Sequence, residues 1–516
     1  MVGAAATPPC AFAAPVVSAP VPVTLPAAVI EMSPLLALTP VAALMFRFNN
    51  PDALLVLALV AAAYCMQRAC ERDSSRWWLI AAGSAVGIGF LAKMLQAFLV
   101  LPAFGLAYLI AAAVPLRTRL LRLLGAVAAM IVSGGWYLLL VEVWPASSRP
   151  YIGGSQDNSI IELALGYNGL GRLTGDETGG LGNMNFDVGP GRLFGAMMGD
   201  YIAWLLPAAV ICLAAGLLLT RRAPRTDAVR AGLVIWGGWL VVTALVFSFA
   251  NGILHQYYTV ALAPAVGAVI GIGSVLLWRN RFDVRAAVAM SGTVLVTVVL
   301  AAVLLARRTD WLPWLGAAVA ILGVGAAVLL LVSSRLPGRV VTGVAACALL
   351  ACLAAPAAYT VATVSTPHAG AIPSVGPARG QGSFGGPGGF LDIPKAGPAL
   401  TTLLSDGAEN HRWTAAVVGS SNAAGYQLAA RAPVMAVGGF NGTDPAPTLA
   451  EFQNDVAAGR IHYFIKAHSM FGFPGGRATS GSREAADIGT WVEAHYTAET
   501  VDGVVVYDLT QPPKDS

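Results

Sequence analysis

Charged residues are scarce in this chain. Of its 516 residues only 11% are Asp, Glu, Lys or Arg, while 56% are hydrophobic, and the mean hydropathy is +0.68. A typical soluble domain has about 25% charged residues. A soluble globular protein is therefore excluded. A nucleic-acid partner is not expected either, because the net charge of +4 comes without a long basic block.

Cysteine and the common catalytic motifs are also sparse. The chain has no CxxC pair and no Cys/His cluster, so neither a structural zinc site nor a disulfide framework is expected. Walker, HExxH and GxSxG motifs are missing as well. No cofactor is predicted, and a divalent metal is left open. The six cysteines are Cys10, Cys65, Cys70, Cys212, Cys347 and Cys352.

Long apolar stretches dominate the first two thirds of the chain. A helix that crosses the core of a bilayer needs about 20 residues, so the shorter stretches must borrow flanking residues or tilt. We therefore predict a multi-spanning α-helical membrane protein of about eleven helices. The stretches are 27–45, 53–66, 77–92, 95–114, 120–141, 193–220, 231–250, 257–278, 286–306, 311–332 and 340–364.

Arginines mark one side of the predicted helices. They gather in alternate short loops, which the positive-inside rule assigns to the cytoplasm. The long loop 142–192 and everything after residue 364 then lie outside the cytoplasm, and Arg307 and Arg308 are exceptions on that outer side. The cytoplasmic set is Arg68, Arg72, Arg76, Arg117, Arg119, Arg122, Arg221, Arg222, Arg225, Arg230, Arg279, Arg281, Arg285, Arg335 and Arg339.

Composition divides the chain into four parts. Residues 1–26 are an Ala/Pro/Val-rich leader, 27–364 form the membrane domain with its external loop 142–192, and 365–394 are a Gly/Pro-rich linker. The remainder, 395–516, alternates short strands and helices, which predicts an extracytoplasmic α/β domain with a largely parallel sheet. Its predicted strands are 414–419, 434–440, 461–467 and 504–509, and its predicted helices are 398–405, 423–430, 449–458 and 483–496.

A polar turn interrupts the first apolar stretches at residues 46–54. Pro51 biases Asn50 away from helical geometry, so a new helix should begin here with Asp52 in its first turn. The helix dipole favours a carboxylate at that position. The turn is either an ordinary helix cap or part of a functional site, because polar groups at the mouth of membrane helices are costly unless they are used.

Polar residues of the outer turns suggest one site. Lys93, the only lysine before residue 395, is interpreted as a phosphate ligand, although snorkelling alone explains it. His255 is more simply a hydrogen-bonding group than a base. Asp52 and Asp157 are the catalytic candidates. The substrate-binding candidates are Arg47, Asn49, Asn50, Lys93, Gln96, Arg149, Tyr151, Asn158, His255, Tyr257 and Tyr258.

Several segments together resemble the bacterial YkcB-type proteins, which belong with the ArnT-like and protein-O-mannosyltransferase group of membrane glycosyltransferases with the GT-C fold. The resemblance runs from about Ser33 to the end of the chain. It is carried by residues 47–55, 89–97, 149–155, 166–172 and 255–264, and in the C-terminal part by 434–442 and 461–465.

The resemblance implies a mechanism. Such enzymes take a sugar, here expected to be mannose, from a polyprenyl-phosphate donor in the bilayer. They pass it to an extracytoplasmic acceptor, which is an envelope glycan, lipid or protein. A carboxylate would deprotonate the acceptor and cations would stabilise the departing phosphate. At matching positions Asp52 would line the cavity, Lys93 would meet the phosphate, and the 149–158 loop would cover the site.

One part of the family pattern is not matched. Family members begin with a further membrane helix and an external loop that carries an acidic catalytic motif, and nothing before Ser33 resembles either. We therefore expect an N-terminally incomplete chain. The alternative functions are an inactive truncated homologue acting as a scaffold, and a lipid or sugar transporter or flippase. Polar residues clustered on one side of the bilayer argue against transport.

Overall fold

The apolar stretches form helices in the computed structural model, which describes residues 34–177, 187–368, 372–377, 393–466 and 480–514. The first group of helices is α1 (Pro40–Met45), α2 (Asp52–Cys70), α3 (Trp77–Lys93), α4 (Leu101–Ala111) and α5 (Leu116–Val143), followed in the outer loop by α6 (Ile160–Leu165) and α7 (Gly171–Thr174). The second group is α8 (Gly199–Ile202), α9 (Leu206–Leu219), α10 (Ala228–Phe249), α11 (Ala263–Arg279), α12 (Val284–Leu305), α13 (Pro313–Leu331) and α14 (Gly338–Ser365).

Nine helical runs within the described ranges are long and apolar enough to cross a bilayer. One of them, Trp77–Ala111, combines two predicted stretches in 35 residues. The helix is broken inside this run, because Phe90 stacks on Phe98 with ring centroids 5.3 Å apart. A straight helix would separate the two residues by about 12 Å along its axis. The run therefore contains two helices, α3 and α4, and the first predicted stretch, 27–45, begins outside the described residues.

Helix α5 lies at the periphery of the membrane domain. Gly134 is its only residue classed as buried. It packs on α3 through a seam of small residues, where a Cβ at Gly83 would lie 2.1 Å from the Ala126 carbonyl oxygen and one at Gly87 2.0 Å from Ser133 Oγ. Such small-residue seams let membrane helices approach closely. The remaining apolar surface of α5 is suited to contact lipid.

The two arginines that violate the predicted orientation are engaged in protein contacts. Arg307 lies 3.8 Å from a carboxylate oxygen of Asp200 and donates to the Phe194 carbonyl at 2.7 Å. Arg308 pairs with Asp310 at 3.3 Å. Both side chains therefore have partners within the protein. For this reason we give them little weight as evidence against the orientation that the other arginines predict. The orientation itself stays a prediction.

The C-terminal part forms the expected α/β domain. Its elements are α15 (Pro398–Ser405), β1 (Trp413–Val418), α16 (Ser420–Ala430), β2 (Val434–Val437), α17 (Leu449–Ala457), β3 (Ile461–Ile465), α18 (Glu484–His495), β4 (Ala498–Val501) and β5 (Val504–Asp508). The strand order is β2-β1-β3-β5-β4. Helices cover both faces: Phe452 and Ile488 are buried on one, Leu400 and Tyr426 on the other.

The prediction of a largely parallel sheet needs a correction. Strands β2, β1 and β3 are parallel, but β5 pairs antiparallel with both β3 and β4. The sequence reading missed β4 entirely. Asp502 and Gly503 join β4 to β5 with positive φ values of 50° and 79°. An Asp-Gly pair between apolar strands is a strong hairpin signal, so this edge was readable from the sequence.

The predicted leader and most of the predicted linker fall outside the described residues. Residues 372–377 of the linker range are described, and they pack against the membrane domain. The Gly376 amide donates to Thr363 Oγ1 at 2.8 Å, and Val375 is 1% exposed. This part of the linker is therefore attached to α14 and is not a free spacer.

Candidate active site

An ion pair joins the beginning of α2 to the end of α3. Pro51 ends the polar turn, and Asn50 Oδ1 accepts the Asp52 amide at 2.9 Å, so Asp52 is the first residue of α2. Lys93 ends α3 where the chain reverses, and its Nζ lies 2.6 Å from both carboxylate oxygens of Asp52. The Asp52 side chain is fully buried and that of Lys93 is 16% exposed. The pair places a partly accessible cation at a helix end.

Aromatic rings surround this cation. The Lys93 ammonium lies 3.7 Å from the ring centroid of Tyr258 and 5.2 Å from that of Tyr257. The His255 ring lies 5.3 Å and 5.5 Å from the same two rings. His255 directly precedes the 3-10 turn Gln256–Leu262, and the two tyrosines lie within it. This turn leads into α11. The electron-rich faces of such rings attract a cation.

His255 is kept neutral at this position. Burial lowers its pKa to about 3, and the positive charges of Arg172 and Lys93 act in the same direction. A neutral imidazole offers one hydrogen-bond donor and one acceptor. The role of His255 as a hydrogen-bonding group stays a prediction.

A second ion pair reaches the site from the outer loop. The Arg172 guanidinium lies 3.2 Å from Glu177 Oε2, and it sits 4.5 Å from the ring centroid of Tyr167. Glu177 also accepts the Ile253 amide at 2.5 Å. Arg172 is close enough for its charge to act on Lys93. Burial raises the pKa of Glu177, while Arg172 opposes that rise.

Backbone pairing fixes this part of the outer loop. The Asn251 amide donates to the Leu173 carbonyl at 3.0 Å, and the Gly252 amide donates to the Arg172 carbonyl at 2.9 Å. Residues 251–253 immediately precede His255. The sequence analysis missed Arg172 and Glu177 as site residues, although Arg172 ends the Gly-rich 166–172 segment. Arg172 and Glu177 reach the site because their segment pairs with residues 251–253, about 80 residues away in sequence.

The first half of the outer loop is organised differently. Arg149 donates to the carbonyls of Val141 and Asn158, and Asn158 Oδ1 accepts the Ile152 amide at 2.9 Å. The Tyr151 hydroxyl donates to the Ser155 carbonyl at 2.7 Å. These predicted binding residues shape their own loop. Their role in binding substrate stays a prediction.

Asp157 lies in the same half of the loop. Its backbone amide donates to Glu162 Oε2 at 2.8 Å, and the residue is exposed. Its carboxylate is thus open to solvent, in contrast to the fully buried Asp52. The catalytic role predicted for either residue is not tested by these contacts.

Three other predicted residues lie at the edges of this arrangement. Arg47 is exposed and donates to the Val364 carbonyl at 3.3 Å, in a cavity of about 340 Å³ that it shares with His368. Asn49 is exposed. Gln96 lies in the 3-10 turn after Lys93, and its buried Nε2 has no hydrogen-bond partner among the described residues. Such an unpaired donor is available to a ligand.

The sequence left a divalent metal open. Across the described ranges, no three His, Cys, Asp or Glu side chains come together in a way that could hold a metal ion. The arrangement offers instead two cations, two buried carboxylates and several phenol and imidazole groups. This combination can bind an oxyanion and hydrogen-bond to hydroxyl groups.

Two family models match this chain. One, described as dolichyl-phosphate-mannose-protein mannosyltransferase, matches residues 27–137, a range that includes Asp52 and Lys93. The other, described as "Putative mannosyltransferase YkcB-like, C-terminal", matches residues 400–495 in the α/β domain.

Full-length relatives and solved structures are also similar. A solved structure of ArnT from Cupriavidus metallidurans bound to undecaprenyl phosphate covers 94% of this chain and 79% of its own, at 17% identity and a TM-score of 0.46. "Putative mannosyltransferase YycA" of Bacillus subtilis is 29% identical over 85% of this chain and 75% of its own length. "Putative mannosyltransferase YkcB" of the same organism is 30% identical over 89% of this chain and 75% of its own. The chain therefore belongs to the YkcB-like family of multi-pass membrane glycosyltransferases.

Proposed function

We propose that this chain transfers a sugar, with mannose as the first candidate, from a polyprenyl-phosphate donor to an acceptor hydroxyl in the cell envelope. The observation that carries the proposal is the Lys93 ammonium at the end of a membrane helix, together with Arg172 from the outer loop, which donates to the Ile253 carbonyl two residues before His255. A lipid-linked phosphate lies at the edge of the bilayer. Two cations at that depth suit its charge.

Lys93 and Arg172 would act on the departing phosphate. As the bond between the sugar's anomeric carbon and the phosphate oxygen breaks, negative charge grows on the phosphate. Fixed cations in a poorly hydrated site stabilise that charge more than bulk water does. Lys93 Nζ donates to both carboxylate oxygens of Asp52. Asp52 would therefore orient the ammonium group and would not accept the proton of the acceptor hydroxyl.

Asp157 would serve as the base. The acceptor oxygen forms its bond to the anomeric carbon while its proton passes to a carboxylate, which must be open to the acceptor. The carboxylates of Asp52 and Glu177 are both held in ion pairs, whereas Asp157 is exposed. Its place in the outer loop favours an acceptor that approaches from outside the cytoplasm.

The test uses the purified full chain in lipid nanodiscs with radiolabelled polyprenyl-phosphate mannose and an envelope extract as acceptor. Lys93→Met alone would leave Asp52 buried without a partner and is expected to destabilise the fold. The informative variant is therefore Asp52→Asn/Lys93→Met, which keeps the site neutral. We expect it to lower transfer about 10³-fold, as for the loss of a key charge-stabilising donor.

A matched control is Lys466→Met in the α/β domain, where Lys466 forms an exposed ion pair with Glu493. We expect transfer by this variant to equal that of the wild type. Transfer by the double variant at the wild-type rate would refute the phosphate role of Lys93. Movement of the lipid across vesicles without any sugar transfer would favour a flippase.

A further inference from the structure

The α/β domain touches the outer loop through one buried carboxylate. Asp444 lies in the segment between β2 and α17 and is 4% exposed. Its Oδ2 accepts the backbone amide of Gly154 at 2.9 Å. Gln156 Nε2 donates to the carbonyl of the neighbouring Thr443 at 3.3 Å. A buried carboxylate that receives a backbone amide from another domain fixes the position of that backbone.

The turn that carries Asp444 is shaped to admit its side chain. Gly438 and Gly439 have φ values of 71° and 66°, which only glycine adopts readily. A Cβ at Gly439 would lie 1.9 Å from Asp444 Oδ2. The Asp444 amide donates back to the Gly438 carbonyl at 3.1 Å. Gly439 therefore makes room for the carboxylate that holds the loop.

The contact continues from the first half of the loop to the second. The Glu162 carboxylate on α6 accepts the amides of Gln156 and Asp157, both at 2.8 Å. Helix α6 leads through the π-turn Gly166–Leu170 into α7, which contains Arg172. The α/β domain also contacts this second half directly, because Ser480 Oγ donates to the Glu177 carbonyl at 3.4 Å. Both halves of the outer loop are thus attached to the same domain.

We propose that the α/β domain positions Arg172 for phosphate binding, with Asp444 as the positioning residue. This inference rests on the proposed function for the identity of the ligand. Asp444 acts through the loop: it fixes the Gly154 backbone, the loop fixes α6, and α6 and Ser480 hold the Arg172–Glu177 pair beside Lys93. The role is distinct from recognition of the acceptor.

The first measurement needs no ligand. Hydrogen exchange of peptides covering residues 160–177 is compared among wild type, Asp444→Ala, Asp444→Asn and Glu499→Ala in the full chain. Glu499 is an exposed carboxylate on the edge strand β4 and serves as the matched control. We expect Asp444→Ala to lower protection about 10-fold, as local opening becomes easier. Asp444→Asn keeps an oxygen for the Gly154 amide and should rescue protection to within about 2-fold of wild type.

The second measurement is binding of polyprenyl phosphate without a sugar, followed by tryptophan fluorescence in nanodiscs. We expect Asp444→Ala to weaken binding about 10-fold in the wild-type background. In an Arg172→Met/Glu177→Gln background, which leaves no buried carboxylate unpaired, the same change should alter binding less than about 2-fold, because the residue it acts through is gone. A loss of fold alone would weaken binding in both backgrounds.

The outcomes separate this inference from the proposed function. The positioning role would be overturned if Asp444→Ala weakened binding equally in both backgrounds. It would also be overturned if Asp444→Asn lowered protection as much as Asp444→Ala. If the wild type fails to bind polyprenyl phosphate, the proposed function fails. Hydrogen exchange alone then tests whether Asp444 fixes the position of the loop. Unchanged protection of residues 160–177 in Asp444→Ala would then overturn it, and lowered protection would support it.

Discussion

The two halves of the outer loop differ in what they touch. Residues 149–159 hydrogen-bond among themselves, with Arg149 and Asn158 as the main connectors, and rest on the α/β domain through Gly154. Residues 160–177 pair with the turn before His255 and bring Arg172 and Glu177 to the membrane domain. The first half contacts the α/β domain. The second half completes a polar cluster with Asp52, Lys93 and the residues around His255, here called the polar centre.

This difference shows that residue type alone does not identify a binding loop. The first half is rich in the side chains that suggest ligand binding, yet Arg149, Tyr151 and Asn158 use their polar groups to shape the loop itself. The second half looks more apolar, yet it delivers a cation. Phosphate binding should depend on the second half, and acceptor chemistry on the first.

Among the variants that compare the two halves of the loop, Asp157→Asn should have the largest effect. If Asp157 takes the acceptor proton, the amide lowers kcat for sugar transfer about 10²-fold, within the range for general bases. Binding of polyprenyl phosphate should stay within about 2-fold of wild type, since the residue does not touch the phosphate. The matched control is Asp176→Asn, an exposed carboxylate in the second half. Unchanged kcat in Asp157→Asn would leave the first half without a chemical role.

An intermediate effect is expected from Arg172→Met/Glu177→Gln, which removes the guanidinium without leaving the Glu177 carboxylate buried and unpaired. Loss of a hydrogen bond between charged groups should weaken polyprenyl phosphate binding about 30-fold. Arg149→Ala removes a guanidinium of the same size from the first half and should change this affinity less than about 3-fold. Equilibrium titration in nanodiscs measures both variants. Equal losses would mean that both halves contact the phosphate, and the comparison between them would fail.

The smallest effect concerns the pH dependence of stability through His255. Its pKa falls to about 3 in the folded chain, chiefly by burial and further because Arg172 and Lys93 lie nearby. The unfolded chain has a histidine pKa of about 6.5, so it takes up a proton that the folded chain refuses. Stability is therefore lost as the pH falls from about 6.5 toward 3, and His255 contributes no such loss above pH 6.5.

His255→Gln removes this loss. Between pH 7 and pH 5 its thermal midpoint should fall about 2 °C less than that of the wild type. Tryptophan fluorescence of the solubilised protein follows the transition, and His411→Gln in the α/β domain is the control. An identical pH dependence in wild type and His255→Gln would mean that the second half does not enclose His255.

The sequence predicted the fold well where the signal is local. Helix α15 has the predicted bounds of 398–405, and α3 ends at Lys93, one residue after the predicted stretch 77–92. The hairpin of β4 and β5 was missed although Asp502 and Gly503 mark it. Strand β4 is short and polar, with Glu499 exposed, so its apolar pattern is too weak to predict it alone.

The site was predictable in part. Asn50, Asp52 and Lys93 stand at helix ends where a polar group is conspicuous in a chain with so few charges, and the structure brings them together with His255, Tyr257 and Tyr258. Glu177 carries no comparable local signal. Its position depends on pairing with Ile253, across 76 residues of sequence, which residue patterns do not reveal.

Each cation of the polar centre already has its own counter-ion within the protein: Asp52 for Lys93 and Glu177 for Arg172. The charges that the protein itself places in the centre therefore nearly cancel. In the proposed reaction a phosphate would add negative charge, and the repulsion from the two carboxylates would lower its affinity. After sugar transfer, the carboxylates would compete with the phosphate of the lipid carrier for the two cations. The counter-ions would thus favour release of the carrier and repeated turnover.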